Sequence, residues 1–348
     1  MRALVKYAPG PGKVELRSVP RPEPGAGQVL VDVAFAAVCG TDRSALDGHF
    51  AGLIPRTLGH EASGVIAALG PDVKRSDLTV GDRVTFETDF YLCGVCRYCR
   101  AEQYQRCPYR KGIGTTADGA LADALVIPEL AVHTLPDGVS LLAAALTEPL
   151  AICVHAVIER SPSLAGEVAI VTGPGAIGAL TSAVATQVGA TTVLVGRSRH
   201  AAQLADALDR GIADHVLDGD SVDVGAYIGG LTDGYGAHTG FECSGAQEWP
   251  QRLQPMLRRG GRVVLVALYH GDPPVNFDLL VNRELEVVGS RGKNAQSYRT
   301  ALRLMADGRI DTESFVSEVL PLERWSEGLD LVAKGRKVVF QVAGTGHR

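Results

Sequence analysis

An uninterrupted apolar run, Val168-Ala169-Ile170-Val171-Thr172, leads directly into Gly173-Pro174-Gly175-Ala176-Ile177-Gly178. A strand that is apolar on both faces needs cover on both sides, as strands of parallel sheets have. Helix-compatible sequence then extends to about Val188, and Thr191 to Val195 forms a second strand. A G-x-G-x-x-G pattern is weak in isolation, and the context that gives it weight is a strand, glycine turn, helix and strand within about 30 residues. Gly173, Gly175 and Gly178 let the backbone approach a pyrophosphate seated on the helix amino terminus, which Ala176 and Ile177 open. Strand candidates at His215-Val216-Leu217, Thr239 to Glu242 and Arg262 to Leu268 continue the alternation. With helical segments between them, they predict a doubly wound parallel sheet of the Rossmann type.

The end of the second strand bears on which dinucleotide fits. A site for NAD(H) holds an Asp or Glu there, on the ribose 2′-hydroxyl. This chain has Gly196-Arg197-Ser198-Arg199, and Gly196 lies 18 residues past Gly178. No carboxylate in that stretch repels a 2′-phosphate, and two guanidinium groups with a hydroxyl are placed to bind one. NADP(H) is therefore expected in preference to NAD(H).

Residues 1 to about 150 follow a different pattern. Arg2 to Tyr7, Lys13 to Val19, Val29 to Val38, Ala62 to Leu69 and Asp82 to Glu87 read as short strands, with turns such as Pro9-Gly10-Pro11-Gly12 between them. Long segments of helical period are few, so a β-barrel or sandwich is expected. Within this region Cys93-x2-Cys96-x2-Cys99-x7-Cys107 places four thiolates within 15 residues. Four sulfurs suit tetrahedral zinc and leave no open position, which makes the site structural. Iron–sulfur clusters also use four thiolates. Cys39 and the pair His60-Glu61, separated by 20 intervening residues, add a thiolate, an imidazole and a carboxylate, three groups that zinc accepts.

At 348 residues the chain exceeds the size of a single core, so two domains are expected. Hydrophobic residues make up 46% and charged residues 21%, which argues against disorder. A net charge of −5 gives no reason to expect nucleic acid or an anionic membrane as partner. The segment Met1-Arg2-Ala3-Leu4-Val5-Lys6-Tyr7 does not read as a signal peptide, and no apolar run approaches the length of a membrane span. Seven cysteines, five of them in metal-like positions, suit a reducing compartment, and a cytoplasmic location is expected.

Taken together, the chain resembles the zinc-dependent medium-chain dehydrogenases/reductases, in the polyol (sorbitol/iditol) and threonine dehydrogenase branch. The resemblance rests on Cys39-Gly40-Thr41-Asp42, Gly59-His60-Glu61-Ala62-Ser63-Gly64, Gly81-Asp82-Arg83-Val84, the four-cysteine lobe, Asp118-Gly119-Ala120, Thr147-Glu148-Pro149-Leu150, the glycine turn and Phe241-Glu242-Cys243-Ser244-Gly245. It covers essentially the whole length.

The resemblance implies a GroES-like catalytic domain over 1–151 that carries the structural-zinc lobe. A Rossmann domain over 152–289 follows, and a return segment over 290–348 completes the catalytic domain. It implies catalytic zinc on Cys39, His60 and Glu61, with Glu148 as a fourth ligand or bound through water, and Asp42 as a partner of His60. Thr41 matches the hydroxyl that passes the substrate proton toward solvent. The family's relay histidine is replaced by Ser44; His49 is a candidate substitute for it, with a surface-loop histidine as the favoured reading. Ser244 and either Arg291 or Lys293 are implied contacts to the cofactor, and a homodimer or homotetramer is implied.

The implied reaction is hydride transfer between a secondary alcohol and NADP(H), with zinc polarising the substrate oxygen. The polyol-like motifs and the 5% aromatic content point to a hydrophilic substrate such as a polyol, sugar or cyclitol. Two other classes compete. A zinc-independent quinone or enoyl reductase on the same fold would lack the Cys39, His60 and cysteine-lobe sets, whereas a non-catalytic nucleotide-binding scaffold would not need Thr41.

Overall fold

The computed structural model describes residues 1–49, 52–269 and 271–342. The chain divides into two compact units, Met1–Ala151 with Lys293–Arg348, and Ile152–Gly292.

The second unit is built on six strands: Val168–Thr172, Thr191–Gly196, His215–Asp218, Ala237–Glu242, Leu257–Leu265 and Glu286–Gly289. Their spatial order is third, second, first, fourth, fifth, sixth, and every pairing is parallel. The order reverses at the first strand, and in such sheets ligands bind beyond the carboxyl ends at that point. Ile170, Val193, Val195 and Val263 pack with Trp249 and Leu253 in one core, which explains the uninterrupted apolar runs.

The fifth strand departs from expectation. It runs from Leu257 to Leu265, whereas the sequence pattern predicts Arg262 to Leu268. Ala237 pairs with Leu257 and Thr239 with Arg262, so Arg258 to Gly261 are accommodated as an irregularity within the strand. Two glycines in a row resemble a terminator when read without the partner strand.

The first unit is mostly antiparallel. Its largest sheet runs in the order Val132–Thr134, Arg83–Phe86, Glu61–Leu69, Gln28–Ala37, Val338–Gln341, Glu318–Pro321, with Ala124–Pro128 also paired to Gln28–Ala37. Register shifts at Leu30/Val31 and Val33/Phe35 bend the central strand. Val29, Val31, Val33, Ile66, Val84, Phe86 and Phe340 fill one core.

The central strand also sets the positions of the chemistry-bearing residues. Ala37 pairs with Glu61 on one side and with Val339 on the other. The residues just beyond these pairs are Cys39, His60 and Lys337, so three segments distant in sequence are brought to one sheet end. Among the described residues, no helix is long and apolar enough to cross a membrane.

Candidate active site and metal centres

Cys39 caps the amino terminus of the short helix Gly40–Leu46 and follows directly on the central strand. Gly59 takes φ +91, and a Cβ there would lie 2.7 Å from the Leu121 amide nitrogen, so only glycine fits. That turn presents His60 and starts the strand carrying Glu61. Ligand atoms of Cys39, His60 and Glu61 all lie within 4.8 Å of one another. The Cys39 thiol donates to Thr41 Oγ1 at 3.7 Å, which places the Thr41 hydroxyl beside the cluster. His49 is exposed, and its backbone amide donates to the Ser44 carbonyl at 2.9 Å.

The expected contact between Asp42 and His60 is not made. Asp42 Oδ1 accepts from the Gly59 amide at 2.9 Å and Oδ2 from the Cys39 amide at 3.1 Å. Its carboxylate therefore ties together the two backbone segments that carry the ligands. The buried Nδ1 of His60 has no hydrogen-bond partner among the described residues.

Two lysines offset part of the carboxylate charge around the cluster. Lys337 Nζ donates to Glu61 Oε2, and to the Val38 carbonyl at 3.2 Å. Lys293 Nζ donates to Glu148 Oε1. Burial pushes the Glu148 carboxyl up, but Lys293 and His60 outweigh it and hold the group below its ordinary value. Burial opposes charging of His60, yet Cys39, Asp42 and Glu148 together push it up to about 10. This is a buried, electronegative site that favours bound positive charge, and its thiolate, imidazole and carboxylate are ligands zinc accepts. The donor set fits a metal ion with three protein ligands.

Lys337 was not anticipated from the sequence. The signal that could have found it is the pairing of Val339 with Ala37, which exists only once the carboxyl-terminal strand is placed. Of the two basic residues expected near a cofactor, Lys293 lies in the unit that holds Glu148 and pairs with its buried carboxylate. Arg291 is exposed on the other unit. A cavity of about 620 Å³ elsewhere in the first unit is lined by Val19, Pro55, Phe90, Lys111 and Asp118 and includes none of the cluster residues.

The four-cysteine lobe is compact. Cys93 Sγ lies 3.9 Å from Cys99 Sγ and 3.7 Å from Cys107 Sγ. Sulfurs about 2.3 Å from a tetrahedral zinc are about 3.8 Å apart, whereas a disulfide would require about 2.05 Å. The amides of Cys96 and Cys99 point at the sulfurs of Cys93 and Cys96, each at 3.4 Å. Amides of Cys96 and Val95 pull Cys93 down to about 6, while burial pushes Cys99 up to about 12. Four thiol groups gathered this closely form a donor set that fits a divalent cation, which favours their deprotonated forms.

In the second unit, Gly175 caps the helix Ala176–Gln187 without any side-chain cap, and nothing lies within 4 Å of where its Cβ would be. A Cβ on Gly178 would lie 1.8 Å from the Gly173 carbonyl oxygen, so helix and turn pack at glycine-only distance. This open helix amino terminus fits a pyrophosphate. Glu242, fully buried, accepts from the Ser244 amide at 2.8 Å and from its hydroxyl at 2.5 Å, which fixes the loop carrying Ser244.

The loop Gly196 to Arg199 is less basic in its surroundings than its sequence suggests. Arg197 pairs with Glu248, and Ser198 Oγ donates to Asp218 at 2.6 Å while its amide donates to Asp220 at 3.2 Å. The pairing of Gly196 with Asp218 across the sheet brings these carboxylates in. Among the described residues no carboxylate pairs with Arg199, whose Nε donates to His200 Nε2 at 3.2 Å.

Residues 25–137 match the alcohol dehydrogenase GroES-like domain and residues 176–307 match the zinc-binding dehydrogenase family. The chain is 36% identical to a sorbitol dehydrogenase of Halalkalibacterium halodurans, over 97% of this chain and 98% of that protein. It is also 36% identical to a D-arabitol-phosphate dehydrogenase of Enterococcus avium, over 98% and 97%. A zinc-binding dehydrogenase from Sinorhizobium meliloti, solved bound to NADP, superposes with a TM-score of 0.89 at 29% identity, covering 98% of this chain and 99% of that one. The chain belongs to the zinc-binding medium-chain dehydrogenases/reductases, in the polyol dehydrogenase branch. It is an oxidoreductase that acts on an alcohol, and its fold joins a GroES-like unit to a Rossmann unit.

Replacing Cys96 by Ser is expected to remove about one equivalent of zinc and to lower the unfolding temperature, because thiolate–metal binding energy is folding energy. Metal analysis and calorimetry on the same preparation check this, and a fully metallated variant of unchanged stability would contradict it.

Proposed function

We propose that the protein interconverts a hydrophilic secondary alcohol (a polyol, sugar or cyclitol) and its ketone, with zinc at Cys39, His60 and Glu61 and with NADP(H) as hydride carrier. The observation that carries this reading is the convergence of those three ligand types within 4.8 Å. Zinc bound there supplies Lewis-acid polarisation of the substrate oxygen. Thr41, bonded to Cys39, is placed to take the substrate's hydroxyl proton. Gly173, Gly175 and Gly178 with Ala176 and Ile177 cradle the pyrophosphate, and Ser244 lines the same crevice. The Cys93, Cys96, Cys99 and Cys107 set holds a second zinc that supports the local fold.

The branch's named activities toward sorbitol and arabitol phosphate support a substrate rich in hydroxyls. A cytoplasmic enzyme is consistent with cysteines that form no disulfide among the described residues. Assembly into a homodimer or homotetramer is supported by the free sheet edge at Glu286–Gly289, where Val287 is exposed, and by Phe277 and Val281 exposed on the preceding helix.

His60→Ala is expected to lower turnover of polyols by roughly a thousandfold or more while changing the dissociation constant for NADP⁺ by no more than about twofold. Steady-state kinetics over a panel of polyols and cyclitols, with cofactor fluorescence titration, make the measurement. Retained turnover would remove the metal from the mechanism.

For the cofactor, Gly196 leaves room for a 2′-phosphate, Arg199 has no carboxylate partner among the described residues, and an NADP-bound relative shares the fold. One charge-assisted contact is worth about 1.5–3 kcal/mol, which corresponds to about tenfold or more in the NADP⁺/NAD⁺ ratio of kcat/KM. Arg199→Leu is expected to erase that preference. An unmodified enzyme that prefers NAD⁺ would show that Asp218 and Asp220, and not Arg199, decide the loop.

A further inference from the structure

Beyond the strand Thr191–Gly196, a short helical turn, Ser198–His200, leads into the helix Ala201–Asp209. The His200 ring meets two donors there. The Arg197 backbone amide lies 3.2 Å from its Nδ1, and Arg199 Nε lies 3.2 Å from its Nε2. A neutral imidazole has one acceptor nitrogen and one N–H, and a charged imidazole has no acceptor. Only one of the two contacts can therefore be a hydrogen bond at a time. The amide is fixed by the backbone, whereas Arg199 is an exposed side chain that can turn away. Nδ1 is thus the acceptor, and the hydrogen bond it takes sets the proton on Nε2. Burial and the charges of Arg199 and Arg197 outweigh Asp220 and hold His200 below its ordinary value, which keeps the ring in this neutral form. Nε2–H and the guanidinium then oppose each other, donor against donor.

We propose that His200 is a specificity-determining residue for the dinucleotide, its Nε2–H and the Arg199 guanidinium donating together to the 2′-phosphate of NADP(H). The proposal rests on the NADP(H) reading above and adds a second donor to it. Two opposed donors are relieved by an acceptor that takes both, and an anion with several oxygens does so through two charge-assisted hydrogen bonds. A ribose 2′-hydroxyl is a neutral, single oxygen and gains less from the same pair. The carboxylates of the loop do not serve instead. Glu248 is paired with Arg197, while Asp218 and Asp220 accept from the Ser198 hydroxyl and amide. Among the described residues no carboxylate bonds to the His200 ring or to Arg199. The imidazole thus has two separate tasks, capping the Arg197 amide through Nδ1 and offering a proton through Nε2.

The test is calorimetric titration of the full-length protein with adenosine 2′,5′-bisphosphate and adenosine 5′-monophosphate, which differ only in the 2′-phosphate. His200→Asn separates the two tasks, because its carboxamide oxygen replaces Nδ1 as the cap and nothing replaces the Nε2 proton. In that variant the preference for the bisphosphate is expected to fall by about tenfold, the worth of one hydrogen bond to a charged group. Affinity for the monophosphate is expected to change by no more than about twofold. His200→Ala, which lacks cap and donor alike, is expected to lose at least as much of the preference. A His200→Asn protein that keeps the full preference, with or without a loss in His200→Ala, shows that the ring only caps the loop and overturns the proposal, leaving the NADP(H) reading standing. An equal fall in affinity for both nucleotides in His200→Asn shows a misshaped loop and overturns it as well. If the unmodified protein does not favour the bisphosphate, the NADP(H) reading itself fails, and this proposal with it.

Discussion

The pairing of Ala37 with Glu61 on one edge and Val339 on the other is the constraint from which the rest of the first unit's site follows. It brings an internal strand, the start of a second strand and a carboxyl-terminal strand to the same end of a sheet. A slip of one residue in either register would turn Glu61 or the Val338–Gln341 strand to the opposite face. The register is fixed by apolar side chains on the buried face, Val31, Val33, Ile66 and Phe340 among them, and by bulges that allow only one alignment. The site is thus held by the same packing that holds the unit together.

Charge is the second determinant. Glu61, Glu148 and Asp42 are all buried, and isolated buried carboxylates are costly. Each is compensated differently. Asp42 accepts two backbone amides, Glu61 takes Lys337 and Glu148 takes Lys293. His60, pushed up to about 10, shows that these compensations still leave the pocket electronegative. An electronegative pocket containing a cysteine, a histidine and a glutamate is one that attracts a divalent cation and displaces the proton from the imidazole.

Motifs whose residues lie close together in the chain were legible in the sequence. The glycine turn, the four cysteines and the alternation of strands and helices depend on local spacing, and the parallel order of the second unit follows from them. Pairs that form only across strands were not legible. Lys337 on Glu61 and Asp218 beside Gly196 follow from strand register, and Lys293 on Glu148, equally illegible, joins two helix ends far apart in sequence. The same limit explains Asp42, which was assigned to an imidazole by resemblance and is found on two amides. The basic loop of Arg197 to Arg199 gains three neighbouring carboxylates, of Asp218, Asp220 and Glu248, for the same reason.

The central claim is that this register assembles a catalytic metal centre distinct from the four-cysteine site. Anomalous scattering at the zinc edge, from crystals grown with zinc and without chelator, tests it most directly. The account predicts two peaks per chain, one among Cys93, Cys96, Cys99 and Cys107, and one within bonding distance of Cys39, His60 and Glu61. A single peak confined to the four cysteines would contradict it.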